Sequence, residues 1–356
     1  KNIISAAGKD AVIGTYNDPS WDVSFNADYN FTRTDVTGGA SVSKGCAGTG
    51  SAAGYIILKD NVIAFLDEGL NVNADSLKIN ANRYTRINEI IANGARVANP
   101  DGTFTAAISP VLVYVENTTG AYLHTDKDNK DNASDKSAVL NLDKDLSVTA
   151  KDETKIIIVS GAPSVPAANK GVGGSLQAEI IKKTVEAIIG RGTSENNRLT
   201  ATVKGDTTVN ADSGNALYSI AVGLAGASEP DASGSVIVLY NADEITSRTG
   251  DYFTLNYNKE GGDITVNAHE KIYLIFMAGE LGFSYNAWAD GPAYTEVLLK
   301  GSVTAEVGKD AYIKGNNIRI SADSENEIYQ MAIAGTALSS GNTADLSWRD
   351  YNRRNL

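Results

Sequence analysis

The chain has 356 residues, a formal net charge of −12 and a single cysteine, Cys46. The acidic balance disfavours nucleic acid and anionic membranes as main partners, because both reward clustered lysine and arginine. No apolar run approaches the roughly 20 residues that a transmembrane helix needs. One cysteine excludes an intramolecular disulfide, and we interpret Cys46, which lies among small residues, as a small buried side chain.

Six copies of one frame follow each other along the chain, with apolar and polar residues alternating around an alanine that we call the anchor. The copies begin at Trp21, Leu77, Leu146, Thr207, Asp263 and Ile318, and their anchors are Ala27, Ala81, Ala150, Ala211, Ala268 and Ala322. The anchors are 54, 69, 61, 57 and 54 residues apart. Alternation with a period of two predicts β-strands. The polar residues after each anchor, such as 269–271, we interpret as a break between two strands.

A second alternating frame precedes each later anchor and begins at Tyr55, Val111, Leu176, Ser235 and Tyr294. LQAEIIKKTVEAII from Leu176 has helical character when taken alone, but its alignment with the other four predicts a strand. GKDAVIG at Gly8 matches GKDAYIKG at Gly308, so the chain opens inside a unit and is expected to be a piece of a longer protein. The units are 1–49, 50–106, 107–170, 171–231, 232–290 and 291–341, followed by a polar C-terminal segment, 342–356.

A repeat of this length decides the fold. The sequence predicts an all-β chain that forms one continuous right-handed parallel β-helix, a β-solenoid of 54–69-residue units. We expect about three coils of roughly 20 residues in each unit, hence about seventeen coils and a rod on the order of 80 Å long at the spacing of strands in a sheet. Such a stack is stabilised by contacts between neighbouring coils, and its open ends are edge strands that are prone to pairing.

A polar residue precedes every anchor, and we expect it to hydrogen-bond backbone groups at a bend. With three coils per unit these residues would recur only at every third coil and would not form a continuous ladder. They are Asn26, Asn80, Thr149, Asn210, Asn267 and Ser321.

Few motifs in the sequence indicate chemistry, and we predict no catalytic residue and no cofactor. The insertion at 124–137 is interpreted as a solvated loop, and Asp126, Asp128 and Asp131 are its weak candidates for a calcium site, because the stretch lacks the glycine and the terminal glutamate of an EF-hand. GTGSAAG at 48–54 precedes a strand-like segment, so it is a spacer and not a dinucleotide-binding loop. The two histidines, His124 and His269, lie beside no serine or cysteine that would suggest a nucleophile.

Two other functions remain open. Parallel β-helices can act on polysaccharides with two suitably spaced carboxylates, and the 43 acidic residues leave such a pair open. The even pattern of the units favours an extended surface instead. A purely structural stalk is the remaining alternative, and a fully polar exterior would favour it.

The segment VEAIIGRGTSENNRLTATVKGDTTVNADSGNALYSIAVGLAGAS, from Val185 to Ser228, resembles the repeats of very large bacterial exoproteins. These are the filamentous-haemagglutinin-like adhesins of two-partner secretion and the leukotoxin of fusobacteria. The resemblance covers roughly residues 8–340. It implies a right-handed β-helix, secretion through an outer-membrane transporter partner, and a secreted or bacterial cell-surface location. It also implies contact with a host-cell surface protein or glycan, and it brings no catalytic residues.

Overall fold

The computed structural model describes residues 1–14, 21–45, 47–98, 101–125, 133–134, 136–165, 168–192, 194–227, 231–284, 289–340 and 343–350. Within these ranges the only helical segment is a short 3-10 turn, Glu195–Asn197, and no helix is long and apolar enough to cross a membrane. The strands are β1 (Asn2–Ala7), β2 (Val12–Ile13), β3 (Asp22–Ser43), β4 (Ala47–Ser51), β5 (Gly54–Leu66), β6 (Asn71–Ala74), β7 (Ser76–Val97), β8 (Gly102–Leu123), β9 (Ala133–Ser134), β10 (Ala138–Leu142), β11 (Leu146–Val165), β12 (Ala168–Ile189), β13 (Arg191–Gly192), β14 (Leu199–Val203), β15 (Thr207–Ala227), β16 (Asp231–Thr249), β17 (Thr254–Leu255), β18 (Ile264–Ser284), β19 (Ala289–Asp290), β20 (Ala293–Val307), β21 (Tyr312–Ile313), β22 (Ile318–Ser340) and β23 (Thr343–Asp350).

Three large sheets form the fold, and their strands pair in parallel except for β23, which is antiparallel to β22. The first wall contains β1, β4, β5, β8, β12, β16, β19 and β20; the end sheet contains β2, β6, β10, β14, β17 and β21; the second wall contains β3, β7, β11, β15, β18, β22 and β23. The chain passes from the first wall through a short end strand into the second wall and then returns. The predicted all-β parallel solenoid is confirmed. β12 also confirms that the segment from Leu176 is a strand.

The expectation of three coils per unit is wrong, because each unit makes one coil. The six anchors are direct partners on neighbouring strands: Ala27 pairs with Ala81, Ala81 with Ala150, and so on to Ala268 with Ala322. Six layers rise only about 24 Å at the strand spacing of a sheet, whereas a 22-residue strand extends about 70 Å. The expected 80 Å rod is therefore wrong as well, since the coils are wide and few.

The interior contains two large apolar clusters, which lie at successive positions along the strands. One apolar cluster lies beside the end sheet and contains the buried anchors, among them Ala81 and Ala211, with residues such as Leu66, Val72 and Ile79. A second cluster fills the middle of the walls, with Ile87, Val113, Ile158 and Phe276 among its members. Alanine recurs at the anchor because five of the six have at most 1% of their surface exposed, which leaves little room for a larger side chain.

A buried polar seam separates the two apolar clusters. It contains charged residues from both walls: Asp60, Arg83, Asp152, Lys183, Asp243 and Glu270. Arg83 lies 3.4 Å from both Asp60 and Asp152, and Lys183 lies 3.4 Å from Asp152 and 3.9 Å from Asp243. The charges therefore alternate in sign from Asp60 up to Asp243. Pairing of this kind is what allows charged groups to remain in an apolar interior.

The seam explains why the interpretation of the polar stretches as strand breaks is wrong. The stretch after Ala268 lies inside β18, which continues unbroken from Ile264 to Ser284. Its middle residue, Glu270, faces the interior and is 8% exposed, while His269 and Lys271 face outward. A polar residue such as Glu270 can occupy an inward position without a turn, because its partners come from neighbouring coils.

Candidate binding face

The outer surface of the second wall begins, near the end sheet, with a polar ladder. The residues before the anchors, which were expected not to form a ladder, occupy adjacent strands because each unit is one coil. Asn80 donates to Asn26 at 2.9 Å and Asn267 donates to Asn210 at 2.9 Å. Ser321 donates to Asn267 at 2.7 Å. These bonds join side chains of successive coils and thereby help to fix the register.

A second polar row, one residue after the anchors, carries charge. Asn82 donates to Asp28 at 2.8 Å, and the Nδ1 atom of His269 lies 3.0 Å from Asp212. The structure places His269 at an outward position, with 29% of its side chain exposed. Carboxylates and amides predominate in this row, so it offers mainly hydrogen-bond acceptors to solvent.

Farther along the same strands the outer surface becomes apolar. The position nine residues after each anchor forms one row across all six layers, which we call the outer apolar row: Val36, Ile90, Val159, Ile220, Met277 and Met331. Val36 is 75% exposed, Ile90 41% and Met331 39%. Side chains of successive strands stand about 5 Å apart in such a row. The result is a continuous apolar strip on the outside of the protein.

Three tyrosines lie next to this row. The rings of Tyr218 and Tyr273 are 5.8 Å apart, and those of Tyr273 and Tyr329 are 5.9 Å apart. Lys155 places its ammonium group 5.5 Å from the Tyr218 ring. Burial, followed by the neighbouring hydroxyls of Tyr218 and Tyr329, raises the pKa of the Tyr273 hydroxyl above its usual value. We call the outer apolar row and these tyrosines together the binding face.

The first wall has a shorter strip of the same kind. Its aligned outward residues are Ile57, Tyr114, Ile180, Tyr240 and Leu298. Lys59 and Lys182 place their ammonium groups 5.2 and 5.9 Å from the Tyr114 ring, so part of this strip is covered by charged side chains. The second wall therefore offers the longer apolar surface.

The sequence candidates for metal and thiol chemistry lie mostly outside the described residues: Asp126, Asp128, Asp131 and Cys46. Across the described part of the chain, no group of three or more His, Cys, Asp or Glu side chains is placed to hold a metal ion. His124 is fully buried after β8 with a φ of 56°, and burial lowers the pKa of its imidazole to about 4. It is a neutral interior side chain at ordinary pH.

Two pairs of carboxylates come together in the described part of the chain, Glu89 with Asp35 and Asp231 with Glu280. Burial, followed by the adjacent carboxylate of Asp35, raises the pKa of Glu89 to about 7. The two groups are close enough to share a hydrogen bond, whereas catalytic pairs stand about 5–10 Å apart with the sugar between them. Asp231 and Glu280 are also neighbours, and both are at most 2% exposed.

Comparisons of the chain with protein-family models, with curated proteins and with solved structures found no match. The outer apolar row was not recognised from the sequence. A signal for it exists, because Met277 and Met331 occupy the same place in two aligned units and Ile220 and Val159 occupy it in two others. The row becomes visible once the units are aligned by one coil each.

Proposed function

We propose that the chain is a non-catalytic segment of a secreted or surface-exposed bacterial exoprotein, an adhesin or leukotoxin, which contacts host cells through its solenoid. The outer apolar row, running over six layers beside the tyrosines, is the observation that carries the proposal. Extended exposed apolar surface marks interaction sites. Tyrosine and methionine are also enriched in the cores of protein interfaces.

The shape of the binding face supports recognition by area and not by a cleft. It is a sheet surface. The polar ladder supplies hydrogen-bonding groups along one side, and the apolar row supplies apolar surface that a partner would bury. A host-cell surface protein or a glycan that offers apolar faces and hydroxyl groups would suit both parts. The resemblance to repeats of two-partner-secretion exoproteins adds the outer-membrane transporter partner and the extracellular location to the proposal.

The test is binding of the labelled chain to leukocytes and to epithelial cells, measured by flow cytometry. The variant Ile220→Lys/Met277→Lys places two charges in the outer apolar row. Thr184→Lys/Thr246→Lys adds the same charge at outward, half-buried positions of the first wall. We expect saturable binding. The first variant should lower its affinity at least tenfold, and the second should leave the affinity within twofold. A difference of this size separates the loss of apolar contacts from the effect of added charge alone.

Equal binding by both double variants would remove the binding face from the proposal. Absence of saturable binding by the unmodified, folded chain would favour a structural stalk. Release of reducing sugar ends from a panel of polysaccharides would instead favour the enzyme alternative.

A further inference from the structure

The outer side of the first wall carries more apolar surface than the strip that contains Ile57. Two further outward rows, on the side away from the end sheet, are apolar as well. One contains Tyr55, Leu112, Ala178 and Val238, and the other contains Pro110, Leu176 and Val236. Tyr55 is 61% exposed, Ile57 48% and Leu176 47%. Further coils above or below these strands would extend the surface and would not cover it.

A row with alternating charge borders this surface on the side of the end sheet. Lys59, Glu116 and Lys182 occupy it on β5, β8 and β12, and Glu116 lies 2.6 Å from Lys59. On β16 the same row holds Ala242. We call the outward residues of β4, β5, β8, β12 and β16, from this row to the starts of the strands, the first-wall face. Among its described positions, Lys170 near the start of β12 is the other charged residue.

We propose that two copies of this chain bind each other through the first-wall face, related by a two-fold axis that runs parallel to the strands, between β8 and β12. A rotation about this axis keeps each residue in its row and reverses the order of the layers. Strand β8 of one copy therefore faces β12 of the second copy, and β5 faces β16. The two sheets pack face to face with aligned strands, as the sheets of a sandwich do.

Charge favours this pairing of the layers. In the bordering row, Glu116 of each copy faces Lys182 of the second copy, so that one rotation forms two ion pairs. Lys59 faces Ala242, which carries no charge. An axis that runs through β12 itself would instead set Lys182 against the same residue of the second copy.

The sizes of the side chains also match in this register. Leu112 faces Ala178 of the second copy, and Ile108, which is 47% exposed, faces Gly174. Larger residues of β8 thus lie against smaller residues of β12. Such a match allows two surfaces to approach the packing density of a protein interior.

The area of the first-wall face suits a stable contact. Four layers with up to seven outward positions each cover about 900 Å² per copy at the spacings of a sheet. Stable protein–protein interfaces bury about 800 Å² per partner. The same surface is used on both copies, so the contact closes at two. The inference goes beyond the proposed function, because the dimer leaves both second walls outward and presents two binding faces on opposite sides.

The first test measures mass against concentration by sedimentation velocity on the whole chain. We expect an equilibrium between monomer and dimer that stops at two copies. Leu176→Lys places a charge inside the first-wall face and should remain monomeric. Val139→Lys is the matched control and should dimerise like the parent, because Val139 is 45% exposed but faces outward from β10 of the end sheet. Circular dichroism confirms that each variant is folded.

The second test exchanges the charges of the bordering row. Glu116→Lys and Lys182→Glu each set like charges against each other twice in a dimer of identical copies, and each should raise the dissociation constant at least tenfold. An equimolar mixture of the two variants pairs opposite charges across the contact and should restore dimers. An effect of either substitution within its own chain would persist in the mixture, so the mixture reports on the contact between copies.

A monomeric parent at every concentration would overturn the proposal. So would equal dimerisation by Leu176→Lys and Val139→Lys, or a mixture of the charge variants that associates no better than either alone. Growth beyond dimers that Ile220→Lys/Met277→Lys abolishes would show that the binding face takes part, which also contradicts a contact confined to the first wall. None of these results affects the proposed function, since binding of cells by the second wall requires only one copy.

Discussion

The guanidinium of Arg83 lies 3.4 Å from the carboxylate of Asp152, and the side chains of both are fully buried. The two residues belong to neighbouring coils and are 69 positions apart in the sequence. Asp152 also accepts hydrogen bonds from Thr119 at 3.0 Å and Thr154 at 3.2 Å, and it contacts Lys183. One carboxylate therefore compensates two buried cations.

The substitution Asp152→Asn should destabilise the fold by about 3–5 kcal/mol, because it leaves Arg83 and Lys183 short of charge compensation in the interior. The measurement is the free energy of unfolding from urea titration followed by circular dichroism. Asp143→Asn is the control, since Asp143 forms an exposed pair with Lys204. That pair should contribute less than about 1 kcal/mol. Equal effects of the two substitutions would show that the seam tolerates an unpaired charge.

Acid should stabilise the protein as the pH falls from about 7 to about 4.5. Burial raises the pKa of Glu179 from 4.5 to about 7, although Ser219 donates to its carboxylate. Below pH 4.5 the folded and unfolded states are both protonated at this residue; as the pH rises, the unfolded state ionises first, and the stability is lost by about pH 7. A shift of this size corresponds to roughly 3 kcal/mol.

Glu179→Gln should therefore flatten the dependence of the unfolding free energy on pH over that range, measured by urea titration at several pH values. Glu153→Gln serves as the control because Glu153 is an outward residue with 48% of its side chain exposed. A slope that Glu179→Gln leaves unchanged would assign the pH dependence to other buried carboxyls, such as Asp243, whose pKa burial raises to about 6.

Ala211→Leu should destabilise the fold by about 1–3 kcal/mol, because the anchor position is fully buried between the anchors of the coils above and below. Thermal unfolding followed by circular dichroism would measure the change. Ala216→Leu lies on the same strand but faces outward. It should change stability by no more than about 0.5 kcal/mol, and a loss as large as that of Ala211→Leu would contradict the packing argument.

Asn267→Ala removes side-chain hydrogen bonds to both neighbouring coils, those with Asn210 and Ser321. We expect a loss of about 1–2 kcal/mol from two partly exposed bonds. Hydrogen exchange should be faster in β18 and β22, where the ladder is interrupted. Thr265→Ala, an outward change two residues earlier on the same strand, is the control. If hydrogen exchange in this variant is as fast as in Asn267→Ala, the hydrogen bonds of the ladder do not stabilise these strands specifically.

The fold class could be predicted from the sequence because the repeated anchors require stacked parallel strands. Six alanines with alternating neighbours can align only if the strands stack in parallel, and the same alignment identified β12 as a strand despite its helical character. Local propensity was overridden by tertiary pairing at that segment, as is common for strands.

The coil count could not be read from the same alternation. An inward Arg83 or Asp152 reads as a surface residue until its partners are known, and those partners lie on other coils. The binding face was missed for the converse reason: outward Ile220 and Met277 read as core residues in an alternating strand with apolar residues on both sides. Both errors arise where a side chain's environment depends on the neighbouring layers and not on its own strand.

The order of charges in the buried seam determines the position that each coil can occupy in the stack. Removal of residues 82–150, one whole repeat, would join Ala81 to Lys151 and preserve the alternation of the strand. The remaining anchors would still pair, so the backbone alone would tolerate the deletion. It would also delete Arg83 and Asn117, so that Lys183 would be the cation left in the seam beside Asp60, Asp152 and Asp243. Coils of this solenoid are therefore not exchangeable modules, because unequal recombination between its similar repeats would leave the seam with fewer cations than its carboxylates need, even though each repeat is intact.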